Sequence, residues 1–338
     1  MICKYGKDID MRHINRDVHN LKEMIRKVKD QSIQSLVQFN PAGEEYTCNI
    51  CHESNYDIFL NIHGYYYCEC KNCKSVFLAN IPDVKKLYEG NPDTTVDMYV
   101  DKDLFYKRVK MIAEPKVNFI LNVAKQLNID VRSWLDIGCG TGEVLYILNK
   151  LGYNAMGIES DLREVNFAKQ EKKLNIIEGY VDVQEENLEI AQAIQEASVI
   201  SFFNVLEHIN EPDRFIDYIY QNMSDKTLLI FEVPKHPSLA SFVNLTAKEN
   251  IYRHMVPPIH LQIFSDEGIG LLLKEKFELL ATWGFGQGFF DILTNAMLVS
   301  DIGNTKLYNQ ILNSSNKIQS LIDEANLSDQ MLYVAQKK

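Results

Sequence analysis

The feature that most constrains the fold is a short, largely apolar run that leads directly into three closely spaced glycines. The run is Trp134–Ile137, the glycines are Gly138, Gly140 and Gly142, and a helical pattern begins at Glu143. Glycine adopts backbone conformations that other residues avoid, and it lets a ligand approach the main chain closely. The segment therefore predicts a buried strand, a glycine-rich binding turn and a helix in direct succession.

Beyond this turn, short apolar runs alternate with stretches of helical period. We expect strands at 134–137, 155–158, 176–178, 198–203, 227–233, 278–283 and 292–299. Helices are expected near 143–150, 161–173, 187–195, 211–223 and 265–276. This alternation is typical of a doubly wound, mostly parallel α/β sheet with helices on both faces. The sequence predicts a seven-stranded, Rossmann-like sheet.

Breaks in the pattern divide the chain into five expected parts. These are a helical lead (1–40), a cysteine-rich segment (41–90), a second helical segment (91–130), the main α/β domain (131–300) and a pair of terminal helices (301–338).

The composition argues against nucleic acid and membrane as partners. The chain has 35 Lys and Arg against 46 Asp and Glu, a net charge of −11, which repels a phosphate backbone. No apolar run approaches the roughly 18 residues that a membrane span requires, and the first residues are polar. We expect a cytoplasmic protein; its oligomeric state stays open.

Five of the seven cysteines lie between Cys48 and Cys73. In a reducing compartment such clustering points to a metal before a disulfide. Four of them form two CxxC pairs with 18 residues between the pairs, the spacing of a four-thiolate structural zinc site. Its expected ligands are Cys48, Cys51, Cys70 and Cys73, while Cys68, His52 and His63 remain alternatives. We expect the runs 65–67 and 76–78 to be the strands of a zinc ribbon.

The glycine turn does not match a dinucleotide-binding loop. Such a loop would carry a third glycine at position 143, where this chain has Glu143. An acid at the start of the helix is a poor neighbour for a pyrophosphate, so NAD is disfavoured.

The sequence Asp136-Ile137-Gly138-Cys139-Gly140-Thr141-Gly142 resembles the first motif of class I S-adenosylmethionine-dependent methyltransferases. The resemblance implies that Asp136 and the three glycines border S-adenosylmethionine. It also implies that Glu159, with Ser160 beside it, accepts hydrogen bonds from the ribose hydroxyls. Asp182 would border the adenine, although it stands two residues later than in the commonest pattern.

A second resemblance follows the fourth predicted strand, where Asn204-Val205-Leu206-Glu207-His208 is similar to the LEH signature of many members that act on small molecules. It implies that Asn204 lines the methionine end of the cofactor and that Glu207 and His208 begin the substrate face. In this family the segment before the core often folds over the cofactor. Three residues there are candidates for such contacts: Tyr106, Tyr99 and Arg108.

Methyl transfer to a hydroxyl needs a group that accepts the proton, and histidine suits this task near neutral pH. His260 precedes a Phe264-Ser265 pair, an arrangement that resembles methyltransferases with an N-terminal zinc ribbon that act on nucleotide sugars. The members that methylate carbon have a Glu directly before this His, where the chain has Ile259. We therefore expect His260 as general base and a hydroxyl of a nucleotide sugar or surface glycan as acceptor, with oxygen favoured over carbon or nitrogen.

Two alternatives stay open at this point. The ribbon could dock RNA or protein for methylation, although the charge argues against RNA. The chain could also be a non-catalytic scaffold, although the intact glycines and Glu159 speak against that.

Overall fold

The structure, a computed structural model, describes residues 1–6, 18–36, 46–79, 81, 99–185, 187–300 and 305–338. In these ranges the chain builds one large sheet and one small sheet. The expected boundaries near residues 41 and 90 lie outside the described ranges. No helix in the described part of the chain is long and apolar enough to cross a membrane.

The large sheet confirms the predicted doubly wound α/β class. Its parallel strands are β5 (Ser133–Ile137), β6 (Asn154–Glu159), β7 (Ile176–Glu178), β8 (Val199–Phe203) and β9 (Leu228–Pro234). Its remaining strands are β1 (Ile2–Tyr5), β11 (Phe277–Phe285) and β12 (Gln330–Lys337), and β12 runs antiparallel to both β9 and β11. The described sheet has eight strands in the order β1-β11-β12-β9-β8-β5-β6-β7, not the predicted seven, because β1 adds a strand beside β11.

Helices pack on both faces of this sheet, each against its own apolar core. One face carries α2 (Lys102–Arg108), α3 (Glu114–Gln126), α4 (Glu143–Lys150) and α5 (Leu162–Asn166). The other carries α6 (Leu188–Glu196), α7 (Pro212–Asn222) and α9 (Asp266–Leu273). Helix α8 (Leu239–Thr246) follows β9 in the chain. A π-helical turn, Val109–Ala113, joins α2 to α3.

Two predictions for the C-terminal part of the chain are wrong. Residues 292–299, expected as a strand, belong to helix α10 (Gly288–Val299). The expected terminal helix pair is one helix, α11 (Lys306–Glu324), followed by strand β12. The last strand needed to complete the sheet is therefore supplied by residues 330–337.

Side-chain spacing explains both differences. Phe289, Leu293 and Met297 recur every four residues and pack together beside Tyr308 of α11, which is a helical pattern. In β12 the five consecutive residues 331–335 are all buried. An unbroken apolar run is the pattern of a central strand covered on both faces.

The N-terminal lead is helical over α1 (Val18–Leu36), whereas Ile2–Tyr5 form β1 at the edge of the large sheet. Ser32 of α1 donates a hydrogen bond to the Pro257 carbonyl at 2.6 Å. The helix is thus attached to the loop that precedes His260.

The cysteine-rich segment forms the small antiparallel sheet, with strands β2 (Tyr56–Ile62), β3 (Tyr65–Cys70) and β4 (Val76–Leu78). Its fourth strand, β10 (Gln262–Ile263), comes from the C-terminal half of the chain and pairs with β4. We call β2, β3, β4 and the four clustered cysteines the ribbon. The ribbon sheet is completed by the segment that carries His260.

Candidate functional site

The predicted site residues gather at the carboxyl edge of the parallel strands. Asp136 lies near the end of β5, Glu159 ends β6, and Asn204 follows β8. Parallel strands deliver their C-terminal residues to one edge, where α/β sheets bind ligands.

The three glycines of the turn all have left-handed backbone angles, with φ of 67°, 55° and 84° for Gly138, Gly140 and Gly142. A Cβ on Gly138 would lie 2.6 Å from Val205, and one on Gly142 would lie 2.3 Å from Leu174. These two glycines therefore allow close packing. The nearest described neighbour of a Cβ on Gly140 would be Glu164 Oε1 at 3.6 Å, so Gly140 keeps the backbone accessible to a ligand.

The Glu159 carboxylate is held by backbone N–H groups. Its Oε2 accepts from the Gly140 amide at 2.9 Å, and its Oε1 accepts from the amides of Ser160 and Asp161 at 2.7 and 2.9 Å. A carboxylate oxygen can accept two hydrogen bonds, so Oε2, which accepts one from Gly140, has capacity for another. This arrangement suits a ligand that donates hydroxyl hydrogen bonds.

Acidic groups dominate the electrostatics of the turn. Burial raises the pKa of Asp136 to about 7, although its Oδ1 accepts a hydrogen bond from Ser201 at 2.5 Å. Burial also raises the pKa of the Cys139 thiol, and the charges of four surrounding carboxylates raise it further: Asp136, Glu159, Glu164 and Glu143. A site with this field favours a cationic ligand and disfavours a phosphate.

Arg108 attaches the preceding helical segment to the turn. Its guanidinium donates to Glu143 Oε1 at 2.6 Å, to Thr141 Oγ1 at 3.2 Å and to the Tyr99 carbonyl at 2.6 Å. The cation also lies 5.1 Å from the centre of the Tyr99 ring. Tyr99 and Arg108 therefore lie against the binding turn.

Tyr106 and Asp182 make mainly local contacts. Tyr106 is half exposed, packs edge-on against Tyr146, and has the Lys172 ammonium 4.1 Å from its ring. Asp182 accepts from the Gln184 amide at 2.8 Å in the loop that follows β7. Neither residue has a described hydrogen bond to the glycine turn.

Asn204 has a left-handed backbone, with φ of 54°, and its side chain donates to Glu232 Oε1 at 3.3 Å. Glu232 in turn forms a buried ion pair with Lys116 at 2.5 Å. Sequence reasoning missed this pair, although a signal was present. Lys116 lies on the same helical face as the buried residues Phe119 and Val123, and Glu232 interrupts the apolar β9.

The structure brings the three predicted catalytic side chains together. A carboxylate oxygen of Glu207 and one ring nitrogen each of His208 and His260 all lie within 4.8 Å of one another. His208 Nδ1 is 2.9 Å from the Ile259 carbonyl, and His260 Nδ1 is 2.5 Å from the His254 carbonyl. A carbonyl only accepts, so each Nδ1 carries a proton. Because the pKa of His260 is low, this ring is neutral near pH 7 and its Nε2 has the lone pair of a proton acceptor.

Burial sets the protonation of this group. It raises the pKa of Glu207 to about 8, and Glu207 Oε2 is buried without a hydrogen-bond partner in the described structure. Burial, helped by the neighbouring His208, lowers the pKa of His260 to about 3. Near neutral pH a protonated carboxyl therefore lies beside a neutral imidazole.

Two further histidines, His236 and His254, form a separate buried group. Both contact the Ser241 hydroxyl, at 3.0 and 3.1 Å. Burial lowers the pKa of His236 to about 4. These contacts hold the loop that carries His254, to which His260 is bonded.

The sulfurs of Cys48, Cys51, Cys70 and Cys73 lie within 4.8 Å of one another, with two S–S separations of 3.5 Å. With zinc about 2.3 Å from each sulfur, the sulfurs of a tetrahedral site lie about 3.8 Å apart. The four thiols thus fit a structural zinc ion. Of the described alternatives, Cys68 and His63 are outside this cluster, and His52 contacts Asp213 at 2.8 Å.

Comparisons with known proteins agree with this architecture. A family model described as a methyltransferase domain matches residues 108–278. Among curated proteins, the chain is similar to the mitochondrial ubiquinone biosynthesis O-methyltransferase of Schizosaccharomyces pombe, with 22% identity over 140 residues. The match covers 41% of this chain and 51% of that protein, so the chain spans about half the length of this relative.

Solved structures with similar folds are more distant. The plantazolicin methyltransferase BpumL in complex with SAH is 17% identical, with a TM-score of 0.45, and the match covers 75% of this chain and 93% of that one. A SAM-dependent methyltransferase from Archaeoglobus fulgidus is 16% identical, with a TM-score of 0.42. That match covers 70% of this chain and 100% of the other. The family model covers half of the chain and includes the glycine turn, Glu159 and His260. The chain belongs to the methyltransferase-domain family, within the class I S-adenosylmethionine-dependent methyltransferases.

Proposed function

We propose that this protein transfers a methyl group from S-adenosylmethionine to a hydroxyl of a small polar acceptor. The observation that carries the proposal is the acid-lined glycine turn, which lies at the same strand edge as the Glu207, His208 and His260 group. The first part suits a cationic cofactor, and the second offers a proton acceptor to the substrate.

The residues of the turn fit the cofactor. Gly140 leaves the backbone accessible, and Glu159 Oε2 keeps an acceptor position for a ribose hydroxyl. The surrounding carboxylates favour the sulfonium and ammonium charges. The residues that would hold the cofactor are Asp136, Gly138, Gly140, Gly142, Glu159, Ser160, Asp182 and Asn204. Tyr99 and Arg108 would cover the turn, and Tyr106 would lie at its periphery. When bound, S-adenosylmethionine supplies an electrophilic methyl group.

His260 would accept the hydroxyl proton at Nε2. A pKa of about 3 makes the isolated imidazole a weak base, so the imidazolium needs a nearby negative charge. Glu207 supplies that charge once its carboxyl group ionises. His208 lies 5.0 Å from His260, ring centre to ring centre, and orients the acceptor.

The acceptor class rests on several lines of support. Ile259 stands where the sugar C-methyltransferases have a Glu, and the curated relative is an O-methyltransferase by name. We therefore propose an oxygen acceptor on a nucleotide sugar or surface-glycan unit. The net charge of −11 favours this class over RNA. The clustered free thiols favour a cytoplasmic location.

Substituting Glu159 with Ala should weaken binding of S-adenosylhomocysteine by about 10- to 150-fold, because one charge-assisted acceptor is worth about 1.5–3 kcal/mol. Isothermal titration calorimetry measures the change. Glu278→Ala, an exposed acid on β11, is the matched control and should bind normally. An unchanged affinity in Glu159→Ala would place the ribose elsewhere.

We also propose that the ribbon holds one structural zinc per chain. Mass spectrometry of the purified protein should find that zinc, and Cys48→Ser should lose it and unfold at a lower temperature, since the site then lacks a ligand. Cys3→Ser changes an exposed thiol outside the cluster and should alter neither the zinc content nor the unfolding temperature. A wild-type protein that is both metal-free and fully stable would refute the zinc site.

Labelled methyl from S-adenosylmethionine should enter the nucleotide-sugar or polysaccharide fraction of an extract of the source cell. His260→Ala should reduce this transfer by about 100-fold or more, because it removes the proton acceptor. His52→Ala, at an exposed histidine, is the control. Label in RNA or protein would contradict the acceptor class, and undiminished transfer by His260→Ala would contradict the base.

The pH dependence should follow Glu207. With the accepting fraction as substrate, the rate should rise with pH through about pH 8, because ionised Glu207 stabilises the imidazolium of His260. Glu207→Gln should be slow at every pH and should lack this rise. If Glu207→Gln keeps the wild-type profile, Glu207 has no part in proton acceptance.

A further inference from the structure

We propose that Gln262 is a positioning residue that links the ribbon to the catalytic group and sets the arrangement of Glu207 and His208 relative to His260. The inference rests on the proposed function, because it assigns a task within that site. In this role Gln262 would make the position of the catalytic group depend on the ribbon.

The side chain of Gln262 is fully buried, and both its amide nitrogen and its amide oxygen are hydrogen-bonded. Its Nε2 donates to the Leu206 carbonyl at 2.7 Å and to the Ile209 carbonyl at 2.6 Å. These two carbonyls bracket Glu207 and His208. Its Oε1 accepts from Asn49 Nδ2 at 3.3 Å, and Asn49 lies between two of the ribbon cysteines.

The backbone around Gln262 connects the same partners. The Leu261 amide donates to the Glu207 carbonyl at 2.8 Å, and the Leu261 carbonyl accepts from the Leu78 amide of the ribbon at 2.7 Å. The Tyr67 hydroxyl, also in the ribbon, donates to the His260 carbonyl at 2.8 Å. The segment that carries His260 is therefore bonded to the catalytic turn on one side and to the ribbon on the other.

The chemistry of this position requires a long primary amide. A carboxylate would place an oxygen within 2.7 Å of two carbonyl oxygens, which repel it. An apolar side chain of similar length would leave both buried carbonyls without this donor. A residue that only filled the core would not need these groups, as the buried neighbour Ile263 shows.

The contacts predict a specific effect of weakening this link. Glu207 and His208 would shift relative to His260, while the glycine turn, whose described hydrogen bonds involve other residues, would keep its structure. A misplacement of about 1 Å in a catalytic group can reduce a rate about 100-fold. The loss should therefore appear in kcat, with cofactor affinity and zinc content retained.

The test compares Gln262→Met with wild type and with Gln336→Met, a control that removes a glutamine amide bonded at the surface end of β12. Four quantities are measured: zinc content, affinity for S-adenosylhomocysteine, the Cε1–H resonances of His208 and His260 in NMR spectra, and kcat with the accepting extract fraction. We expect Gln262→Met to shift or broaden both histidine resonances and to lower kcat about 100-fold. Zinc content should stay unchanged, and affinity should stay within twofold of wild type.

Asn49→Ala provides a milder variant if Gln262→Met does not fold. It removes the ribbon side of the link and leaves both Nε2 bonds, so a several-fold loss of kcat is expected. Unchanged histidine resonances and unchanged kcat in a folded variant would overturn the proposal. An equal loss of cofactor affinity and kcat would also overturn it, since that is general structural damage.

The readouts keep this proposal separate from the proposed function. If the wild-type protein transfers no methyl, the proposed function fails, but the histidine resonances and the binding data still test the link. If transfer occurs and His260→Ala abolishes it, a normal Gln262→Met protein refutes the link alone.

Discussion

The structure depends on how carboxylates are held at the edge of the parallel strands. Asp136, Glu159, Glu207 and Glu232 are all buried there, an arrangement that is costly unless each charge is compensated or neutralised. Backbone amides hold Glu159, the Ser201 hydroxyl binds Asp136, and Lys116 pairs with Glu232. One oxygen of Glu207 has no hydrogen-bond partner among the described residues, and burial raises the pKa of this carboxyl, so it stays protonated near neutral pH. The residual negative field is what a sulfonium cofactor would neutralise.

The second organising feature is the joining of two sheets. Strand β10 completes the ribbon sheet, and His260 lies two residues before its first residue. Tyr67 bonds the His260 carbonyl, and the Ser265 hydroxyl contacts the Cys73 carbonyl at the other end of β10. The four-cysteine cluster is thus attached to the segment that carries the proposed base. A structural zinc ion at these cysteines, as proposed above, would stabilise the ribbon and with it the segment that carries His260.

The sequence was informative where local chemistry determines structure. The strand, glycine turn and helix at 134–150 and the gathering of the four cysteines follow from spacing and residue type. The C-terminal predictions failed because periodicity alone does not distinguish a short apolar helix from a buried strand, as residues 292–299 show. Lys116 and Glu232 were missed because their pairing depends on the packing of α3 against the sheet. The bonds of Gln262 likewise depend on tertiary contacts across more than 50 residues.

We propose that the acid-lined glycine turn binds a cationic adenosine cofactor. The most direct test is calorimetric titration of the wild-type protein with S-adenosylmethionine and, separately, with ATP, which shares the adenosine but carries negative charge. We expect one site per chain for S-adenosylmethionine and no measurable binding of ATP. Binding of ATP in place of S-adenosylmethionine would contradict the proposed cofactor site.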